Sequence, residues 1–117
     1  MSTLKLTLKK KWFDMILSGE KKEEYREIKH YWMGRLTSAY FGQIGGDIMD
    51  RHKVVSHNIK SFDTIIFKNG YAANAPTIEI ECLGIDVGEA APRWSDNWEG
   101  DVFRIKLGKI LRTENIK

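Results

Sequence analysis

Gly19, Lys21, Glu24 and Arg26 stand in the order Gly-x-Lys-x-x-Glu-x-Arg, inside a stretch from Ser18 to Trp32 too charged to be ordinary core. A lysine held beside a carboxylate in a cleft can bind phosphate, or when desolvated act as a base or nucleophile. A glutamate at that spacing can serve as general acid or base. Lys21 and Glu24 are therefore the catalytic candidates, and Lys21 and Arg26 the ligand-binding ones. The alternative is a solvated ladder of surface ion pairs, which contributes little. If Lys21–Ile28 is a strand, Glu24 and Arg26 share one face, close enough to pair, and Lys21 lies on the other unless a twist or bulge just after the helix brings it round.

Aromatic residues form the next set: Tyr25, Tyr31, Trp32, Tyr40, Tyr71, Trp94 and Trp98. Rings near basic residues can stack nucleobases. Trp12, Trp32 and Phe62 read as core. Tyr71, in a Lys68-Asn-Gly-Tyr turn, and Trp94, after Pro92, read as loop residues open to stacking, and Tyr25 sits within the charged stretch itself. His52 and His57 lack a carboxylate or cysteine at ligand spacing, so neither a metal nor a cofactor is expected. The Gly42-Gln-Ile-Gly45-Gly46 run is not a phosphate loop, because no strand precedes it and no Lys-Ser/Thr follows.

The elements that must carry these residues follow from hydrophobic period. Residues 3–8 alternate, placing Leu4, Leu6 and Leu8 on one face of a strand. Over residues 10–18 the period changes, and Trp12, Phe13, Ile16 and Leu17 form the stripe of a short helix ending at Gly19. Its first turn is all lysine, the wrong sign for the helix dipole, and no good capping residue precedes it. A strand over 21–28 and a second short helix over 29–36 follow. Residues 37–60 are an irregular insertion, read as a long loop. Further strands are expected over 62–67, 77–87 and 102–111. Asn69-Gly70 marks a turn, and Gly84 and Gly108 mark bends. The tail after Arg112 is expected to fray. Long strands bent by glycine are how small sheets curl, so the expected class is α+β, mainly β: a small barrel of about five strands with two short helices packed on one side.

The chain has 117 residues, 42% hydrophobic and 30% charged, which is one globular domain by size. The net charge of +3 is unevenly spread: residues 1–60 hold twelve Lys/Arg against seven Asp/Glu, and residues 61–117 hold seven against nine. Lys5, Lys9, Lys10 and Lys11 precede the first acid, and Arg104, Lys106, Lys109 and Arg112 lie near the other end. If the two ends are neighbours they make a basic patch that attracts phosphate; otherwise they are solvated faces. The single cysteine, Cys82, cannot make an internal disulfide. There is no apolar run of about 20 residues and no signal-peptide pattern. A cytoplasmic protein with no membrane partner is expected.

In sum, the order Leu-x-Leu, short helix with Ile-Leu-x-Gly, then Glu-Lys-x-x-Glu-x-Arg resembles the ASCH domain family of the PUA-like superfamily. The Phe67-x-Asn69-Gly70-Tyr71 turn, the strand from Thr77 to Val87 and the closing Ile105-x-Leu107-Gly108-x-Ile110 are similar to it too. The resemblance covers residues 1–117 as a single domain, apart from the 37–60 insertion. It implies a PUA-like β-barrel with a cleft beside the first helix, lined by Lys21, Glu24 and Arg26, and a role in binding RNA or a nucleotide. Tyr25, Asn69, Tyr71 and Trp94 are the further ligand-contact candidates. Some members of the family are hydrolases: amidohydrolases acting on N4-acetylcytidine, and a ribonuclease. The amidohydrolase pattern uses the lysine, a threonine three residues later and a glutamate further on. This chain has Lys21 but carries Glu24 at the threonine position. A third expectation, a protein-interaction module, would show a large exposed apolar patch.

Overall fold

The hydrophobic alternation of Leu4, Leu6 and Leu8 becomes strand β1, Thr3–Thr7, in a computed structural model that describes residues 2–38, 59–96 and 100–116. The other elements are helix α1 (Lys10–Leu17), β2 (Glu23–Glu27), α2 (His30–Leu36), β3 (Thr64–Lys68), β4 (Thr77–Glu89) and β5 (Asp101–Glu114). The five strands form one mixed sheet in the order β1-β3-β4-β5-β2. β1 pairs parallel to β3, with Thr3 opposite Thr64 and Thr7 opposite Lys68. β3 pairs antiparallel to β4, with Thr64 opposite Glu81 and Lys68 opposite Thr77. This is the mainly β, α+β class expected, with five strands and two short α-helices among the described residues. The greater part of the 37–60 insertion, with Tyr40, the Gly42–Gly46 run, His52 and His57, lies outside the described residues, as does Trp98.

By its internal contacts the chain divides into two compact units, Met1–Glu24 with Phe62–Gly84 and Lys106–Lys117, and Tyr25–Ser61 with Ile85–Ile105. In the first unit, Leu4, Leu6, Leu8, Trp12, Phe13, Ile16, Ile65, Phe67, Ile78, Ile80 and Leu107 are buried. Each such side chain removed from water contributes about 1.5–3 kcal/mol before entropy is counted. That burial explains how α1 forms with a lysine at its start, no side-chain cap and no acid in its first turn. Its amphipathic stripe, not its termini, holds it in place. β3 starts two residues later than the apolar run suggests. Asp63 is occupied instead in closing the strand end, its Oδ2 accepting from the Ser2 N–H at 2.9 Å.

In the second unit, Tyr25, Met33, Leu36, Trp94, Val102, Phe103 and Ile105 are buried. α2 stops at Thr37, whose extended backbone bridges Ile59 and whose hydroxyl donates to the Met33 carbonyl at 2.7 Å. Residues 88–100, expected as plain loop, contain a 3-10 turn at Pro92–Trp94. The terminal tail does not fray at Arg112. β5 runs on to Glu114, and along it the Arg112 guanidinium donates to Glu79 at 2.8 Å and pairs with Glu114. No helix among the described residues is long and apolar enough to cross a membrane.

Candidate functional site

The first unit holds the site, and the end of α1 builds it. Gly19 takes φ +86°, the left-handed conformation that only glycine adopts without strain. The Gly19 N–H donates to the Ile16 carbonyl at 3.1 Å and the Lys21 N–H to the Met15 carbonyl at 3.0 Å. The chain reversal is thus tied back onto the last helical turn, and Lys21 is fixed there before any strand begins.

β2 starts at Glu23, so strand alternation does not govern Lys21. The regular-strand reading, with Lys21 and Glu24 on opposite faces, is therefore corrected, and the alternative in which the chain after the helix brings Lys21 round is the one the structure has. Lys21 Nζ donates to Glu24 Oε1 at 2.8 Å, and the two side chains are 1% and 3% exposed. The same ammonium sits 4.2 Å from the centre of the Trp12 ring. Lys11 Nζ lies 4.4 Å from that ring. Trp12 is core, as expected, but it is also a cation–π partner for the buried lysine. The neighbouring Glu23 pairs with Lys106 at 2.5 Å.

Burying an ion pair costs several kcal/mol per ion in lost hydration, which the mutual attraction barely recovers. Replacing such a pair by apolar residues of similar volume is often neutral or stabilising. The burial of Lys21 and Glu24 is therefore weak evidence that the pair is there for stability.

Lys21 also lines an open hollow of about 400 Å³. The end of α1 (Ile16 to Gly19), Lys22, Ile80 and the β5 residues 107–110 complete it. Among the described residues, Lys21, Lys22 and Lys109 are its only charged lining residues. The Leu107 N–H donates to the Lys22 carbonyl at 3.0 Å, and this bond ties the segment of Lys22 to that of Lys109; Lys5, Lys9, Lys10 and Lys11 do not line the hollow. The patch is narrower than the sequence charge implied. Arg104 is held by Asp86 through bonds of 2.7 and 2.8 Å, Lys106 by Glu23 and Arg112 by Glu79, which leaves Lys109 on the hollow. Gly108, expected as a bend, serves as a close approach. A Cβ there would meet Glu81 Oε1 and Leu83 Cδ2, each at 2.9 Å.

The other sequence candidates are dispersed. Asn69 lines a separate hollow of about 240 Å³ with Lys10, Asp14 and Ile116. Its N–H donates to the Pro76 carbonyl at 3.0 Å, closing the 69–76 loop. Tyr71 stands on that loop, 92% exposed. In the second unit, Tyr25 is buried and its hydroxyl accepts from the Ala91 N–H at 3.0 Å, a structural role. Arg26 donates to the Tyr25 carbonyl at 2.8 Å and lies 5.1 Å from the Trp32 ring centre. Trp94 is 9% exposed with the Arg93 guanidinium 4.3 Å over its ring, so little face remains for a base. The 3-10 turn, invisible to hydrophobic period, turns that ring inward. Lys22 and Lys109 were not singled out as a pair by the sequence, being 87 positions apart, and only the charge excess near both chain ends pointed toward them. Comparison with family models, with curated proteins and with solved structures found no match for this chain.

Proposed function

We propose that this chain is an ASCH/PUA-like domain that binds RNA or a nucleotide through the lysine-lined hollow. One observation carries the reading: among the described residues, three lysines and no carboxylate line a concavity of about 400 Å³, within the size range of small-ligand sites. Apolar Ile16, Ile80 and Leu107 also line it, which suits a flat base beside a phosphate. The motif order Gly19-x-Lys21-x-x-Glu24-x-Arg26 supports the family reading. Because Lys21 is already paired with Glu24, attraction for phosphate falls mainly to the exposed Lys22 and Lys109.

The test is a titration of labelled single-stranded RNA, and of free nucleotides, at several salt concentrations. Affinity for RNA falls with salt, with a slope of about −0.7 per neutralised phosphate. The double variant Lys22→Ala, Lys109→Ala weakens binding and makes the slope shallower by about 1.4. Unchanged affinity and slope in that variant refute the reading.

A second reading, a hydrolase acting on a modified nucleobase such as N4-acetylcytidine or on an RNA phosphodiester, is favoured by the buried Lys21–Glu24 pair at the wall of the hollow. A carboxylate within hydrogen-bond reach of a desolvated lysine can accept and return its proton. Incubation with N4-acetylcytidine and with labelled RNA decides it, since absence of product from both ends the hydrolase reading.

A further inference from the structure

The cations of the lysine-lined hollow differ in what already holds them, and that difference bears on which phosphate it suits. Lys22 and Lys109 are exposed, and among the described residues neither ammonium makes an ion pair or a hydrogen bond. A Cβ on Gly19 would lie 3.8 Å from Lys22 Nζ, so that ammonium stands against the end of α1 that lines the hollow. Lys109 follows Leu107 by two positions on β5, about 6.5 Å along a strand, and the Leu107 N–H is bonded to the Lys22 carbonyl at 3.0 Å. Two unpaired ammoniums on flexible four-carbon stems therefore border one concavity.

The neighbouring charges confine the positive field to that spot. The next cations along β5 on either side of Lys109 are Lys106 and Arg112, held by Glu23 and Glu79. Lys21 is held by Glu24. Glu81, whose Oε1 accepts the Lys109 N–H at 2.8 Å, is not among the residues that line the hollow. At the end of α1 the Asp14, Met15 and Ile16 carbonyls accept from the Ser18, Lys21 and Gly19 N–H groups, which occupies the negative end of the helix dipole. A chain of phosphodiesters carries one charge per phosphate, and binding along it takes a row of cations. Two free cations at one hollow match instead a single phosphate with two charges. A phosphomonoester near neutral pH is that group, carrying about −1.5 to −2 on three acceptor oxygens.

We propose that the hollow takes the terminal phosphomonoester of a nucleotide, with Lys22 and Lys109 as its two cationic contacts, in preference to an internal phosphodiester. The proposal rests on the reading of the hollow as an RNA or nucleotide site and narrows it. A free mononucleotide and either end of an RNA present the same group.

The test titrates one RNA sequence carrying a 5′-phosphate, a 5′-hydroxyl or a 5′-phosphate methyl ester, which keeps the phosphate but only one charge. The phosphorylated RNA binds about three- to thirty-fold tighter than the other two, as two exposed ion pairs allow. In the Lys22→Ala, Lys109→Ala variant that preference disappears. Circular dichroism checks folding, and Lys22→Gln, Lys109→Gln replaces the alanine variant if it unfolds. The same RNA phosphorylated at its 3′ end, and a nucleoside monophosphate beside its nucleoside, distinguish the sources. A gain confined to one RNA end, or to the mononucleotide, supports the phosphomonoester and names where it comes from. Equal binding of phosphorylated and unphosphorylated ligands, both weakened in the lysine variant, overturns the phosphomonoester and spares the hollow. A preference that survives in the lysine variant overturns the assignment to Lys22 and Lys109, and a methyl ester that binds as tightly as the monoester overturns the charge match. No binding of any of these ligands by the parent chain overturns both the phosphomonoester and the hollow.

Discussion

Removing one half of the Lys21–Glu24 pair should destabilise the protein far more than removing both. Glu24→Leu strands an ammonium, and Lys21→Met strands a carboxylate, where the two side chains are 1% and 3% exposed and joined at 2.8 Å. At that depth solvent screening gives little relief, and an uncompensated buried charge costs about 3–5 kcal/mol. A domain of this kind is stable by only about 5–15 kcal/mol, so each single variant forfeits a large fraction of its margin. In the double variant Lys21→Met, Glu24→Leu no charge is stranded and the Met side chain still packs on Trp12. Its stability should equal the parent's or exceed it by about 1–4 kcal/mol. Urea denaturation of the four proteins closes a double-mutant cycle, the midpoint reporting stability and the slope checking that the compactness of the end states is unchanged. A coupling below about 1 kcal/mol, or a double variant that loses as much as the two singles together, refutes the argument. RNA titration of a stable double variant then shows whether the pair is kept for ligand or for fold.

Two further predictions concern single positions. Gly19→Ala should cost about 1–2 kcal/mol, because its φ of +86° lies in the region where a Cβ meets the following carbonyl; Gly19→Asn should cost less, and the urea midpoints of the two variants check it. The Cys82 thiol is pushed up from its ordinary value, chiefly by burial and further by the charge of Asp63, against a lowering by a hydrogen bond from the Gly84 backbone. Its folded pKa therefore lies above its unfolded one. The contribution is complete below the unfolded value of about 8.5 and is lost as pH rises through the folded one. Native protein should react with a thiol reagent at pH 8 more slowly than urea-unfolded protein, and Cys82→Ser should flatten the fall in stability above pH 8.5. Equal thiol rates in the two states contradict it.

The lysine-lined hollow shows how a modest net charge becomes a local one. Of the nineteen lysines and arginines, Lys21, Lys22 and Lys109 line it among the described residues, and Lys21 is paired with Glu24. Glu23, Asp86 and Glu79 likewise pair with Lys106, Arg104 and Arg112. An exposed pair contributes little to stability, but each one narrows where the field is positive.

The sequence by itself determined the elements. Period-2 alternation in residues 3–8, 77–87 and 102–111, and the 3.6 period of Trp12, Phe13 and Ile16, are local consequences of which faces must leave water, so five strands and two helices were legible. Gly19 as a helix end and Asn69-Gly70 as a turn were legible too, since backbone conformation at glycine is a local matter; Gly70 does take φ +103°. Tertiary structure alone decided the partners. Whether Lys21 meets Glu24 depended on β2 beginning at Glu23 rather than at Lys21, and strand starts are set by pairing with a distant strand. Whether Trp94 was open depended on a 3-10 turn with no hydrophobic period. Lys22 and Lys109 became neighbours through one backbone hydrogen bond between Leu107 and Lys22. The Gly19-x-Lys21-x-x-Glu24-x-Arg26 spacing thus announced a polar cluster, while the fold divided it, placing Lys21 with Glu24 under Trp12 and Arg26 beside Trp32. Spacing along a chain constrains residues within one element, and contacts between elements are fixed only when the whole core packs.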